Sequence, residues 1–213
     1  MGKVTEARDL MQRAVQASPP PDISEDAKSF LRLTALDQKP KDAAALEPEV
    51  RKLLQADPHY VPALMVRASM EMQRGDSKQA IASYNEVLQR FPDFAPAQKY
   101  LAILYLENPA TLDKAYEFAV KARKTLPSDP ELTRTLGEIS YQRKEYPRAV
   151  QLLQESARTT PLDAKGLYYL GASQLQTKQK PQAKEALERA LAAGLQEPLA
   201  SEAKRLLEEF KTK

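Results

Sequence analysis

Apolar residues recur three and four positions apart along most of the chain, with polar residues between them. Leu64, Ala68 and Met72 form one such row, and Leu167, Leu170, Gly171 and Leu175 form another. This spacing puts an apolar stripe on one side of each of a series of helices.

The pattern also repeats on a longer scale. Prolines stand at Pro58, Pro92, Pro127 and Pro161, spaced 34, 35 and 34 residues apart. Small residues travel with them: Ala68, Ala102, Gly137 and Gly171 in one series, Ala80, Ala115, Ala149 and Ala183 in another. Pro147 and Pro181 are a further pair 34 apart. A fixed period of this length marks stacked supersecondary units. Each unit reads as two antiparallel helices. Small residues sit where the helices cross, because only they let the backbones approach. The recurrent prolines lie just past helix ends, where they stop the helix from continuing. Pro147 and Pro181 fall in the first turn of a second helix, where a missing N–H costs little. Gly75 suits a left-handed C-terminal cap.

These residues resemble the tetratricopeptide repeat, a family with a small eighth residue, Ala at the twentieth place, a small twenty-seventh and often Pro at the thirty-second. The best match is 61–94, with Leu64, Ala68, Gly75, Asp76, Ala80, Tyr84 and Pro92 in register; Val87 departs from it. Units 95–129, 130–163 and 164–195 follow, the first with one extra residue near Ala110. A degenerate unit, 27–60, precedes them. It has Leu46 and Leu53 at places that are usually small, so its helices cross differently or further apart. Pro48 lies inside its expected second helix, which either starts near Glu47 or is broken there. Arg67 departs from the usual apolar preference. Residues 1–19, with Ala7, Met11, Ala14 and Pro19 in register, read as the second helix of a truncated repeat. A Pro-rich linker at 20–26 makes a stiff corner. The half repeat suggests a chain cut from a longer array. Residues 196–213 read as a capping helix with Leu199, Ala203, Leu206, Leu207 and Phe210 on one face. The resemblance implies an all-α, right-handed α-solenoid of antiparallel helix pairs, with about twelve helices.

Composition narrows the function. Of 213 residues, 42% are apolar and 29% charged, with a net charge of +3, and mean hydropathy is −0.56. These values are expected of a soluble protein. The two signs of charge interleave, without the clustered cations that nucleic acid demands. The longest apolar run, Tyr100 to Leu106, is far short of the ~20 residues a membrane span needs, and the N-terminus lacks the apolar core of a signal peptide. The compartment stays open: cytoplasmic, or periplasmic if the chain derives from a longer exported protein. The repeat style is that of bacterial proteins.

No cysteine is present, so disulfides and thiolate metal sites are excluded. The sole histidine, His59, has no second histidine with which to share a metal. No phosphate-cradling glycine motif occurs. No catalytic set and no cofactor or metal site are therefore expected.

The family resemblance implies a protein or peptide partner held along the concave surface of the first helices. Carried over to this sequence, the contributing places are Met65, Ser69 and Met72; Lys99, Tyr100 and Ile103; Arg134, Glu138 and Tyr141; and Lys165 and Tyr168. The asparagine-containing clamp of chaperone-binding members is absent from these places. The expected function is a non-catalytic scaffold or adaptor. The alternative is a structural spacer, or self-association through the open N-terminal end.

Overall fold

The computed structural model describes residues 9–13, 15–17, 20–35 and 45–210. The chain divides after Leu101 into two compact units.

The first unit contains α1 (residues 9–13 and 15–16), α2 (Pro21–Ala35), α3 (Glu47–Ala56), α4 (Val61–Gln73), α5 (Ser77–Arg90) and the start of α6 (Ala95–Leu106). Ala7, Ala14 and Pro19, on which the half-repeat reading partly rests, lie outside the described residues. The linker expectation at 20–26 needs correction, because α2 already begins at Pro21. A first helical residue donates no N–H to the helix, so proline with its fixed φ starts one readily. Pro48 resolves in the same way: α3 starts at Glu47 and Pro48 sits in its opening turn.

Leu33, Val50, Ala63, Val66 and Met70 form the core here, with Leu46 and Leu53 packed against it. α2 packs on α4 and is tied to α3 through Arg32, which donates to Glu49 Oε1 at 2.6 Å. The α4–α5 pair is regular by contrast. Ala68 and Ala80 are fully buried at its crossing, and Gly75 adopts φ +75° between its helices. Asp76 caps α5, its side chain accepting from the Gln79 N–H at 3.1 Å. Arg67 is the polar exception. It donates to Ser83 Oγ at 3.1 Å and Glu86 Oε2 at 2.6 Å, and Ser83 in turn donates to Glu71 at 2.6 Å. Two carboxylates and a hydroxyl therefore satisfy a half-buried guanidinium.

The second unit contains the end of α6, a 3₁₀ turn at Pro109–Thr111, and α7 (Leu112–Thr125), α8 (Pro130–Gln142), α9 (Tyr146–Thr159), α10 (Ala164–Gln176), α11 (Lys180–Ala192) and α12 (Leu199–Glu208). The 3₁₀ turn absorbs the extra residue near Ala110, capped by Asn108 Oδ1 accepting from the Ala110 N–H at 2.9 Å. Close approach explains the glycines. A Cβ on Gly137 would meet Leu153 Cγ at 2.7 Å; one on Gly171 would meet Leu187 Cγ at 2.8 Å and the Ala183 carbonyl at 3.0 Å. Pro127 and Pro161 lie just past α7 and α9, while Pro147 and Pro181 sit in the first turns of α9 and α11. The place held by Gly75 in the first unit is held here by Lys144 (φ 62°) and Lys178 (φ 64°). Both close the same two-bond turn: the Lys144 N–H donates to Tyr141 O and the Glu145 N–H to Ser140 O, and the pattern recurs at Lys178 and Gln179. α12 caps the unit, burying Ala200, Ala203 and Leu206 and turning Lys204, Arg205, Glu208 and Glu209 outward.

Candidate functional site: the first-helix faces

In the first unit, α4 carries Met65, Ser69 and Met72, all half-buried. Met72 is anchored from behind. Its sulfur accepts from the Tyr84 hydroxyl at 3.4 Å, and the fully buried Tyr84 ring stacks on Tyr100 at 5.3 Å and 11°. Lys99 Nζ lies 5.2 Å from the centre of the Tyr100 ring. The result is an apolar patch of thioether and aromatic surface with an ammonium at its edge, held rigid by the α5 tyrosine. Ile103, also half-buried, belongs to the second unit.

In the second unit the face is built from α8, α10 and α12, which pack on one another in that order. Four tyrosines meet there. Tyr141 contacts Tyr146 at 5.7 Å, Tyr168 at 6.4 Å and Tyr169 at 5.1 Å, and Tyr168 contacts Tyr169 at 5.2 Å, mostly edge to face. Burial raises the hydroxyl pKa of Tyr141, Tyr168 and Tyr169, and for Tyr168 the neighbouring Tyr141 hydroxyl adds to the effect. These phenols therefore act as neutral hydrogen-bonding groups at any physiological pH.

Beside the tyrosines lies a chain of charges. Glu138 is 2% exposed. Its Oε1 accepts from Arg134 at 3.1 Å, and Lys165 Nζ lies 3.0 Å from its Oε2. The same Arg134 nitrogen donates to Asp163 Oδ2 at 3.0 Å. Asp163 also caps α10, its Oδ1 accepting from the Gly166 N–H at 2.8 Å. Burial pushes the Glu138 carboxyl above the usual carboxylate range, against the pull of Lys165 and Arg134. Burial acts on Lys165 in the opposite sense, but the Glu138 carboxylate more than offsets it and holds the ammonium up. Lys165 also lies over the Tyr169 ring at 5.9 Å.

Two of the expected contact residues are thereby corrected. Tyr168 is 3% exposed and packed between α8 and α12 neighbours; Glu138 is covered by its own cations. Met65, Ser69, Met72, Lys99, Tyr100, Ile103, Arg134, Tyr141 and Lys165 keep accessible surface. The sequence reading missed Tyr169 and Asp163. Asp163 had a signal, since an Asp directly before a helical run is a capping residue.

Among the described residues no group of three His, Asp or Glu side chains could hold a metal ion, and no helix is long and apolar enough to cross a membrane.

Sequence profiles described as tetratricopeptide repeat match residues 65–111, 114–164 and 165–193, together more than half of the chain. A type IV pilus assembly protein, PilF of Pseudomonas aeruginosa, is 32% identical over 134 residues, covering 60% of this chain and 51% of that protein. A TPR repeat-containing protein of the same organism is 24% identical over 160 residues, which is 75% of this chain and 26% of that one. The matched region thus spans about half the length of the first relative and about a quarter of the second. Among solved structures, Pseudomonas aeruginosa PilF superposes with a TM-score of 0.61 at 18% identity, covering 99% of this chain and 88% of that one. MamA from Desulfovibrio magneticus superposes at 0.57 with 15% identity, covering 90% and 94%. At such identities the likeness is one of fold.

Proposed function

This chain belongs to the tetratricopeptide-repeat family, and from that premise we propose that it is a non-catalytic scaffold that holds a protein or peptide segment on its first-helix faces, the concave faces of the family. One observation carries the reading. The side chains left half-open on those faces include adaptable and aromatic types that anchor interfaces, and three of them are braced from behind by a buried partner. Met72 and Tyr100 lean on Tyr84, and Tyr141 leans on Tyr169. Side chains ordered before binding lose little entropy on contact. Tyr, Met and Arg are also enriched at the centres of protein interfaces.

The test is capture of partners from a lysate of the source organism. The parent chain would be compared with Met65→Glu/Tyr100→Ala and, separately, with Tyr141→Ala/Lys165→Glu, all matched for helicity. A partner kept by the parent and lost by either variant supports the scaffold. Equal retention by all three, or no retention by any, rejects these faces as the working surface.

A further inference from the structure

The charges on the α8–α10 face have a specific arrangement. Two cations, Arg134 and Lys165, occupy places from which a first-helix face would meet a bound segment. An anion from the chain itself already fills the space between them: Glu138 accepts from Arg134 at 3.1 Å and from Lys165 at 3.0 Å while being 2% exposed. Asp163 accepts from the same Arg134 nitrogen at 3.0 Å. Two positive and two negative groups therefore cancel within one cluster.

We infer that Glu138 is a specificity-determining residue: a built-in counter-anion that occupies the place a partner's carboxylate would take and so keeps the α8–α10 face from selecting acidic segments. The inference rests on the scaffold reading and names what that face accepts. A carboxylate arriving from solvent would have to displace one that is covalently attached, already desolvated and held by two donors. The attached group wins that competition because its translational freedom was lost when the chain folded. It also repels the newcomer, since like charges brought together at low dielectric cost free energy. What remains open on this face is the Tyr141 ring, its neutral phenol and the aliphatic stem of Lys165. These suit a segment of neutral hydrogen-bonding and apolar side chains.

The groups facing Glu138 are Arg134 from α8, Lys165 and Tyr169 from α10, and Asp163 from the preceding turn. Replacing the carboxylate by its neutral amide preserves shape and leaves the cluster one charge more positive. Glu138→Gln should therefore create an acid-binding face, a gain that structural damage would not produce.

The experiment is fluorescence anisotropy with a labelled hexaglutamate peptide at pH 8 and low salt. The parent should bind it weakly, and Glu138→Gln about tenfold tighter or more. The gain should vanish at high salt and in the double variant Glu138→Gln/Lys165→Met. Should Glu138→Gln fail to fold, Asp163→Asn carries the test: asparagine keeps the cap on α10 and removes one of the cluster's two anions, leaving Arg134 to Glu138 alone, and a smaller gain in the same direction is expected. Three results overturn the inference: a folded neutral variant that binds no tighter than the parent, a parent that already binds as tightly as the variant, or a gain that survives loss of Lys165. The probe reads only the charge of this face, so a negative result here leaves the partner-capture experiment standing, and the reverse also holds.

Discussion

The α4–α5 pair of the first unit and the α8–α9 pair of the second follow one plan with different materials. At the seventh place of the repeat, α4 has Arg67 and α8 has Leu136, which is 1% exposed. Arg67 is held by Ser83, Glu86 and Glu71; Leu152 and Ser140 stand where Ser83 and Glu71 would be, and Glu155, at the place of Glu86, is already engaged by Arg123 at 2.7 Å. At the crossing, α4 has Ala68 and α8 has Gly137 under Leu153. At the left-handed turn, the first unit has Gly75 and the second has Lys144. The fold therefore does not require a particular chemistry at each place, only that each place be satisfied: a polar group by partners, a close approach by a missing Cβ, a positive φ by glycine or by strain tolerated elsewhere.

Exchanging materials between the pairs should break that equivalence. The largest effect is expected for Leu136→Arg, which introduces a guanidinium into an apolar interface that lacks the Glu71 and Ser83 counterparts. A loss of about 4 kcal/mol is expected in urea unfolding. The reciprocal Arg67→Leu should cost only about 1–2 kcal/mol, the desolvation left on Glu71 and Glu86. Equal losses would show that the two interfaces do not differ in the way described.

Gly171→Ala comes next, at about 2 kcal/mol, because its Cβ would press on the Ala183 backbone carbonyl as well as on Leu187. Gly137→Ala should be milder, since the backbone atom nearest its Cβ, Leu153 N, is 3.3 Å away against 3.0 Å for the Ala183 carbonyl at Gly171. The thermal midpoints of the two variants, measured side by side, should fall in that order.

The turns give a smaller effect of opposite sign. Lys144→Gly and Lys178→Gly should each stabilise by about 1 kcal/mol by removing an L side chain from the left-handed region, whereas Gly75→Lys should destabilise by a similar amount. Denaturant midpoints that move in the same direction for all three would rule out backbone strain as the cause.

The smallest effect is one of pH. Glu138 binds its proton more tightly in the folded chain than in the unfolded one, because burial raises its pKa. Folded protein then holds more protons just above the ordinary carboxylate range, so stability falls as pH rises through the Glu138 titration. Glu138→Leu should flatten that slope in pH-dependent unfolding. An unchanged slope would place the titration on another group.

The helical architecture was legible because its markers are local. Proline past a helix end, alanine at a crossing and glycine at a positive φ each act within a few residues of themselves, so the sequence displays them directly. Lys144 and Lys178 were not legible as left-handed residues, since nothing in a lysine announces a positive φ; only the closing bonds of the turn impose it. The helix start at Pro21 was misread because proline serves stiff linkers and first helical turns alike.

The candidate site was less visible for a related reason. Whether Tyr168 reaches solvent depends on Tyr141 and on α12, more than thirty residues later. Glu138 is hidden by Lys165, one repeat further on. Contacts between repeats decide exposure, and a single repeat carries no record of its neighbours.

Asp163 joins the start of α10 to the side of α8 through its two oxygens, one on the Gly166 amide and one on Arg134. Fraying the first turn of α10 therefore also takes from Arg134 of α8 one of its two carboxylate partners, leaving it to Glu138. In a stack whose stability is a sum of unit and neighbour terms, this carboxylate belongs to both kinds of term at once. The two repeats should then open together, so that the Gly166 amide exchanges with solvent hydrogen at the rate set by the pair.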